Sequence, residues 1–307
     1  MRHVTDATVE QMRDLAEREG LADRWPEIQA AALPAFAADV VPDGPILPTG
    51  SRLGGSPALP GSAHWPTAGG EALTFVGQLD LGAFDASIVG LPAVGLLSFF
   101  VGVDEPAANV VHAIRYFPDA SRLRECAPPT ARFHNEELSG FPACALRVQA
   151  TVSLPQQLLW DLGDLGERLQ GLPRPAPSGL DGRSRTGGHP QDGTGRDAYL
   201  CLSGRESILF HWYRTVQELQ AERSRRAEGG ADEPDARDRV VEDLEWFIAG
   251  RREHDEEIGH WRVLFSVDSH RAADMVWWDA GQLDFLIDER DLAGGRFDRT
   301  YACIVSS

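Results

Sequence analysis

The sequence predicts an α+β fold, in which a single mixed domain over residues 1–307 contains a duplicated β-rich unit. Three observations support this prediction. Short runs of branched and aromatic residues indicate strands, and apolar residues at helical spacing indicate helices around them. Two glycine turns are each followed by a similar series of segments. The helices make an N-terminal extension and a two-helix insertion in the second repeat.

The N-terminal segment, residues 1–44, is predicted to be helical. Its first apolar run has helical spacing, and a second run follows Pro26, a residue suited to the first turn of a helix. Pro34 is expected to kink or end the second helix. The apolar positions of the two runs are Val9, Met12 and Ala16, then Ile28, Ala32 and Phe36.

Residues 45–152 make up the first β-rich repeat. Its segments contain the branched and aromatic residues that favour strands. A helix and a linker follow over residues 153–180, and the proline-rich and glycine-rich stretch 172–196 is predicted to be a loop. The predicted strands are 73–81 and 94–103, with weaker candidates at 113–117 and 145–152, and the helix is 156–170.

Residues 181–307 make up the second repeat, with a helical insertion over about 206–254. Apolar residues in the insertion recur at the spacing of two amphipathic helices, the second around Val240 to Ile248. Residue types that are typical of β-strands recur after the insertion. The predicted strands are 263–268, 275–278, 282–288 and 301–305.

The duplication is predicted from matching segments in the same order. In the first repeat, GGSP at 54–57 leads to FVGQLD at 75–80 and then to GLLSFFVG at 95–102. In the second repeat, GGHP at 187–190 leads to LFSVDS at 264–269 and then to GQLDFLID at 281–288. The glycines lack the spacing of a nucleotide-binding loop, so we interpret both stretches as tight turns.

Composition excludes several classes of protein. The net charge is −18, so neither nucleic acid nor an anionic membrane is an expected partner. All 29 basic residues are arginine, which rules out enzymes that need a lysine for phosphate binding or Schiff-base chemistry. The 4 cysteines have no metal-ligand spacing. We therefore expect a cytoplasmic protein with no membrane segment, no cofactor and no metal.

Five segments together resemble the YwqG-like family, a bacterial domain family of unknown function. They are GGxPxLP with a later Trp-Pro, a strand ending Gln-x-Asp, GxLxFF, GGxP and W-x-D-A-G-x-L-x-F-x-I. The resemblance covers about residues 45–305. It implies one mixed α/β domain with a duplicated β-rich unit, and it supplies no catalytic residues. This chain has Trp278 where the family has glycine, and Ser266 where a glutamine is frequent.

The candidate ligand-binding residues are aromatic and polar side chains near the matched segments. Histidines and carboxylates from both repeats would meet in a cleft if the repeats faced each other. Trp277 and Trp278 are neighbours in a predicted strand, so one is expected in the core and the other at the surface, beside a carboxylate. The candidates are His64, Trp65, Gln78, Asp80, His189, Trp278 and Asp279. No catalytic residue is predicted.

Two functions fit these observations. The first is a non-catalytic binding protein that engages another protein, in the manner of an immunity protein or antitoxin. Such a protein should expose a contiguous apolar patch on the insertion or around Trp278. The alternative is a small-ligand-binding or hydrolytic protein that uses a cleft between the two repeats. The sequence leaves the oligomeric state open.

Overall fold

The computed structural model describes residues 6–61, 64–102, 108–130, 140–170, 172, 181–191, 193–209 and 236–306, with a few positions between 217 and 225. Eight helices lie in this part of the chain. They are α1 (Asp6–Arg18), α2 (Trp25–Ala31), α3 (Gln156–Leu162), α4 (Asp164–Gln170), α5 (Thr194–Leu202), α6 (Ala236–Ala249), α7 (Arg251–Ile258) and α8 (Glu289–Ala293).

Ten strands form the main sheet. They are β1 (Leu33–Val40), β2 (Arg52–Leu53), β3 (Thr74–Asp80), β4 (Leu96–Val101), β5 (His112–Phe117), β6 (Cys144–Ser153), β7 (Ser184–Gly187), β8 (Trp261–Asp268), β9 (Gln282–Asp288) and β10 (Thr300–Val305). Two short ladders lie beside the sheet, Ala58–Pro60 with Leu123–Glu125 and Thr67–Ala68 with Glu71–Ala72. The mixed α/β class predicted from the sequence is confirmed.

Strand order divides the sheet into a central pair and two arms. The order is β10-β9-β8-β7-β1-β6-β2-β3-β4-β5, and the described neighbours are antiparallel. The central pair is β1 with β6, the first arm is β2 to β5, and the second arm is β7 to β10. Strand β6 pairs with the first arm and β1 with the second. Each arm therefore completes its sheet with a strand from the other half of the chain.

The two arms also have bulges at matching places. The β3–β4 register shifts between Phe75 and Gly77, and the β8–β9 register shifts between Val263 and Phe265. A duplicated unit would give this matching strand order and these matching bulges, with β1 to β5 as the first copy and β6 to β10 as the second. The duplication itself and its boundaries stay predictions.

The prediction that the second helix includes Phe36 is wrong, because this helix ends at Ala31. Residues Leu33–Val40 form β1, which pairs with β6 on one side and β7 on the other. A residue before proline is pushed toward extended backbone, so Leu33 ends the helical path at Pro34. Phe36 is then buried in the sheet. The segment 1–44 is thus helical only in its first part.

The sheet curls so that the arms face each other across one apolar core. The ring of Phe99 in β4 lies 4.9 Å from that of Phe265 in β8 and 5.1 Å from that of Phe285 in β9. The outer strands also meet, since the Val110 amide donates to the Ala302 carbonyl at 2.8 Å. The result is a sheet that is nearly closed around its core.

Helices cover the outside of the sheet in separate clusters. The N-terminal helices pack with α3 and α4 over the end of β6, through Met12, Ile28 and Leu158. Helices α5 and α6 form a second cluster, which buries Leu200 and Leu244. Within the described residues, no helix has the length and apolar character that a bilayer crossing needs.

Several sequence predictions need correction at the level of single elements. The predicted loop 172–196 contains β7 and the start of α5. The predicted helix 156–170 is two helices, because Gly163 has a positive φ of 55° between them. The stretch 275–278 is not a strand, because Met275 makes only an isolated bridge with His270 and a turn begins at Trp278, which has φ 49°.

Other element predictions have a different outcome. The second helix of the insertion is confirmed as α6, and β9 has the predicted bounds. The first helix of the insertion, predicted from about residue 206, lies largely outside the described residues.

A half-buried histidine joins the two outer strands of the sheet. His112 Nδ1 donates to the Val110 carbonyl at 2.7 Å, and the Thr300 hydroxyl lies 2.9 Å from Nε2. Burial lowers the pKa of His112 below its ordinary value of 6.5. The folded chain therefore favours the neutral ring, and this contribution to stability is full above about pH 6.5 and is lost as the pH falls below it.

We expect the difference in unfolding free energy between the wild-type protein and His112→Gln to shrink as the pH falls from about 7.5 to 5. Glutamine does not titrate, so only the wild type loses this contribution. Urea unfolding at both pH values measures the difference. His64→Gln, which removes an exposed histidine, is the control. A difference that stays constant with pH would contradict the role given to His112.

Candidate functional site

The two glycine turns follow the same construction, with an arginine two residues before the glycine pair. Gly54, Gly55, Gly187 and Gly188 all have positive φ, as the turn interpretation predicts. Arg52 donates to the carbonyl of Ser56, four residues on. Arg185 donates in the same way to the carbonyl of His189, at 2.9 Å. The repeated pattern R-x-G-G-x-P was visible in the sequence and was missed.

Each arginine begins a row of polar residues that crosses three strands. The first polar row is Arg52, Gln78 and Ser98, and the second polar row is Arg185, Ser266 and Asp284. In both rows the sheet register places the three residues side by side. Each arm therefore contains a line of adjacent polar side chains within a largely apolar sheet.

The first polar row holds a loop in place. Gln78 donates to the carbonyls of Pro48 and Gly50 at 2.9 and 3.0 Å, and its oxygen accepts from the Ala58 amide at 3.1 Å. Arg52 donates to the same Pro48 carbonyl and to that of Leu47. Gln78 is fully buried by these contacts. Its amide group therefore fastens the loop to the first arm.

The second polar row carries carboxylates. Asp284 is fully buried and accepts from the Gln282 amide at 2.8 and 2.9 Å. Burial raises the pKa of Asp284. Burial, and then the nearby Asp284, raise the pKa of Asp268 to about 6. Asp268 ionises at a higher pH than an ordinary aspartate because of these neighbours.

A cleft of about 800 Å³ lies where the two arms and the N-terminal helices meet. Its wall from the first arm is the short helix Ala86–Val89, which packs against the second glycine turn. A Cβ at Gly187 would lie 2.4 Å from Val89 Cγ1, so only glycine allows this approach. The lining residues are Gln29, Ala30, Ala32, Leu33, Pro34, Ile88, Val89, Gly90, Gly187, Gly188, Arg262, Glu289, Arg290, Leu292 and Ala293.

Charged residues stand at one side of this cleft. Arg262 Nη2 lies 2.7 Å from Glu289 Oε2, and His260 Nδ1 lies 2.7 Å from Glu289 Oε1. Arg290 pairs with Asp288 and Glu257, each at 2.6 Å. The cleft thus combines a mainly apolar wall with a charged rim whose cations already have carboxylate partners.

Four of the predicted site residues have structural contacts of their own. Trp65 donates to the Leu73 carbonyl at 2.8 Å, and its ring lies 5.6 Å from Phe100. Asp80 accepts from the Gly82 amide at 3.0 Å and so caps a short helix. Gln78 fastens a loop, as described above. His189 contacts the Ala31 carbonyl at 2.8 Å, which ties the end of α2 to the glycine turn.

The structure does not join the predicted site residues to one another. His64 is exposed, and no described hydrogen bond links any two of the seven residues. Only His189 adjoins the cleft, next to its lining residue Gly188. The seven residues remain a prediction as a ligand set. In the described part of the chain, no group of three His, Cys, Asp or Glu side chains is placed to hold a metal ion.

The Trp277-Trp278 pair divides between core and surface as predicted. Trp277 is 2% exposed and Trp278 is 42% exposed. Among the described residues, the Trp277 indole nitrogen has no hydrogen-bond partner. Trp278 and Ala280 have positive φ angles of 49° and 63°. Such a backbone is strained for a bulky residue.

Hydrogen bonds from one buried serine hold this strained turn. The Trp277 amide donates to Ser269 Oγ at 2.9 Å, and Ser269 Oγ donates to the Gly281 carbonyl at 2.7 Å. The Gly281 amide donates to the Trp277 carbonyl at 2.7 Å. The turn is therefore fixed on both sides of Trp278.

We expect Asp268→Asn to raise the unfolding free energy at about pH 7.5 by about 1 to 2 kcal/mol. A raised carboxyl pKa means that the protonated form fits the fold, so stability present below about pH 4 is lost as the pH rises through 6. Asparagine stays neutral and keeps an acceptor oxygen. Denaturant unfolding at about pH 4 and 7.5 tests this, with exposed Asp298→Asn as the control. An equal effect at both pH values would refute it.

We expect Trp278→Gly to be more stable than Trp278→Ala by about 1 kcal/mol, because glycine adopts positive φ without strain. The same pair of substitutions at Trp160 is the control. Trp160 is exposed in α3, where glycine should instead be less stable than alanine. Chemical unfolding of the four variants gives both differences. The same sign at the two positions would show that Trp278 is not strained.

The comparisons with known proteins identify a family and no close curated relative. The model of the Domain of unknown function (DUF1963) matches residues 51–304. The comparison with curated proteins returned no match. The matched range contains both glycine turns and both polar rows. The chain therefore belongs to the family defined by the domain of unknown function DUF1963.

Proposed function

We propose that this protein binds a small ligand in the cleft between the two arms of the sheet. The observation that supports the proposal most directly is the composition of the cleft wall, which contains residues from the N-terminal helices and from both arms. A volume of about 800 Å³ is in the range of small-molecule sites. This proposal keeps the cleft of the ligand-binding alternative predicted from the sequence, but not its seven candidate residues, none of which lines the cleft.

The ligand is an apolar molecule with an anionic group. Ala30, Leu33 and Leu292 offer apolar contact, while Arg262 offers a planar cation at the rim. A carboxylate on the ligand would compete with Glu289 for the Arg262 guanidinium, with which it can form two parallel hydrogen bonds. The existing Arg262–Glu289 pair keeps that cation oriented before a ligand arrives.

Three of the four thiols lack the properties of a nucleophile, which favours binding over thiol-dependent hydrolysis. Burial raises the pKa of Cys201 to about 12, and it also raises the pKa of Cys144 and Cys303. The thiolate is the reactive form, so these residues are poor nucleophiles at neutral pH. Free cysteines also support the proposed cytoplasmic location.

A second candidate function is binding of another protein, in the manner of an immunity protein or antitoxin. Exposure of Val276 and Trp278 favours it, because a protein-binding surface was expected around Trp278. The narrower YwqG-like assignment also remains part of the proposal. It is supported by the five segments named in the sequence.

We expect Ala293→Trp to weaken binding of the anionic apolar dye anilinonaphthalene sulfonate at least about ten-fold. Ala293 is exposed at the end of α8 and lines the cleft, so an indole there fills the binding volume. Ala249→Trp is the matched control, because Ala249 is exposed at the end of α6 and away from the cleft lining. Dye fluorescence titrations give the dissociation constants.

Two outcomes would contradict the cleft proposal. One is equal dye affinity in the wild type and Ala293→Trp. The other is an equal loss in Ala249→Trp, which would mean that the dye reports general surface binding. Mass spectrometry of the natively purified protein then identifies any small molecule that Ala293→Trp fails to retain.

A further inference from the structure

The tryptophan loop, residues 274–280, presents an exposed apolar surface that the cleft does not use. Its residues alternate between the core and solvent. Met275 and Trp277 are buried, whereas Val276 is 54% and Trp278 is 42% exposed. Two large apolar side chains thus face outward from a loop that is anchored from below.

Folding alone does not account for Trp278 at this position. A bulky residue at φ 49° costs about 1 to 3 kcal/mol of backbone strain. Ala280 and Asp274 also have positive φ, of 63° and 51°. Trp278 belongs to none of the described buried clusters, so packing within the chain offsets little of this backbone strain. An exposed aromatic held at such a cost is better explained by a contact that forms outside the chain.

The charges of the loop favour a cationic partner. From residue 272 to residue 281 the charged side chains are Asp274 and Asp279, and both are exposed. Arg271 precedes them, and the whole chain has a net charge of −18. An indole face beside carboxylates attracts a guanidinium or ammonium group, through the ring and through charge.

The shape of the region favours a macromolecule over a small molecule. No residue of the loop lines the cleft described above, and the Val276 and Trp278 side chains face solvent. Small ligands bind in concave sites, whereas an outward-facing tryptophan is typical of protein interfaces. The loop therefore suits a side chain that a partner brings to it.

We propose that the tryptophan loop docks a basic segment of a partner protein, with an arginine or lysine side chain stacked on the Trp278 indole. Asp279 and Asp274 flank the cation, and Val276 contacts the aliphatic part of the segment. The hydrogen bonds of Ser269 hold the loop in its binding shape before the partner arrives. This inference rests on the second candidate function, whereas its site is separate from the cleft, so failure of the cleft proposal would leave it intact.

The test uses a fluorescent peptide of alternating arginine and glycine, and a second peptide with neutral citrulline in place of arginine. In the full-length protein, Trp278→Leu should raise the dissociation constant of the arginine peptide about five-fold. Trp278→Phe, which keeps a ring, should raise it less. Trp160→Leu, which removes another exposed tryptophan, should leave it unchanged. Fluorescence anisotropy at physiological ionic strength measures all of these values.

Three results would overturn the proposal. The first is an equal affinity of the wild type and Trp278→Leu for the arginine peptide. The second is an equal loss in Trp160→Leu, since general charge attraction would then explain the binding. The third is a Trp278 dependence that is the same for the citrulline peptide, because contact would then be apolar. Binding to phosphatidylcholine vesicles without a Trp278 effect on the peptide would point to a membrane surface instead.

Discussion

The antiparallel pairing of β1 with β6 is the interaction on which the rest of the structure depends. Its register runs from Leu33 opposite Ser153 to Val40 opposite Leu146. Each strand also completes the arm that belongs to the other half of the chain, so neither arm has a full set of strands without it. The cleft follows from this exchange, because it brings the start of β1 next to the glycine turn of β7. Strand β1 precedes the range that matches the family model, which begins at residue 51.

The two arms use one structural solution with different electrostatics. In each arm, an arginine donates to the carbonyl four residues ahead and so closes a glycine turn. Arg52 donates to neutral loop carbonyls, and the carboxylate that acts on it from a distance is Glu125. Arg185 instead lies near the buried Asp284, which attracts it. The polar row of the first arm therefore holds a loop in place, whereas that of the second arm contains a buried carboxyl group whose ionisation depends on pH.

The sequence analysis predicted those strands whose apolar residues lie close together in the chain. The run at 282–288 predicted β9 with its bounds, because its apolar residues lie within seven consecutive positions. Strand β7 was missed because Ser184–Gly187 is short and polar, and it is a strand only through pairing with the distant β1. The same limit hid the residues that line the cleft, because most of them are small and apolar and have no chemical signature. The repeated arginine before each glycine pair was visible in the sequence, but its role required the register.

Strain and anchoring in the tryptophan loop are two parts of one arrangement. A residue in an unfavourable conformation persists only when its surroundings hold it there. Ser269, which is buried, supplies that hold by accepting from the Trp277 amide and donating to the Gly281 carbonyl. Trp277 fixes the loop to the core, where its ring lies 5.8 Å from that of Phe141. Because the loop is already fixed, its exposed side chain loses little conformational freedom on binding. Less interaction energy is then needed for a given affinity. The strain at Trp278 is therefore consistent with a contact surface that is formed before its partner arrives.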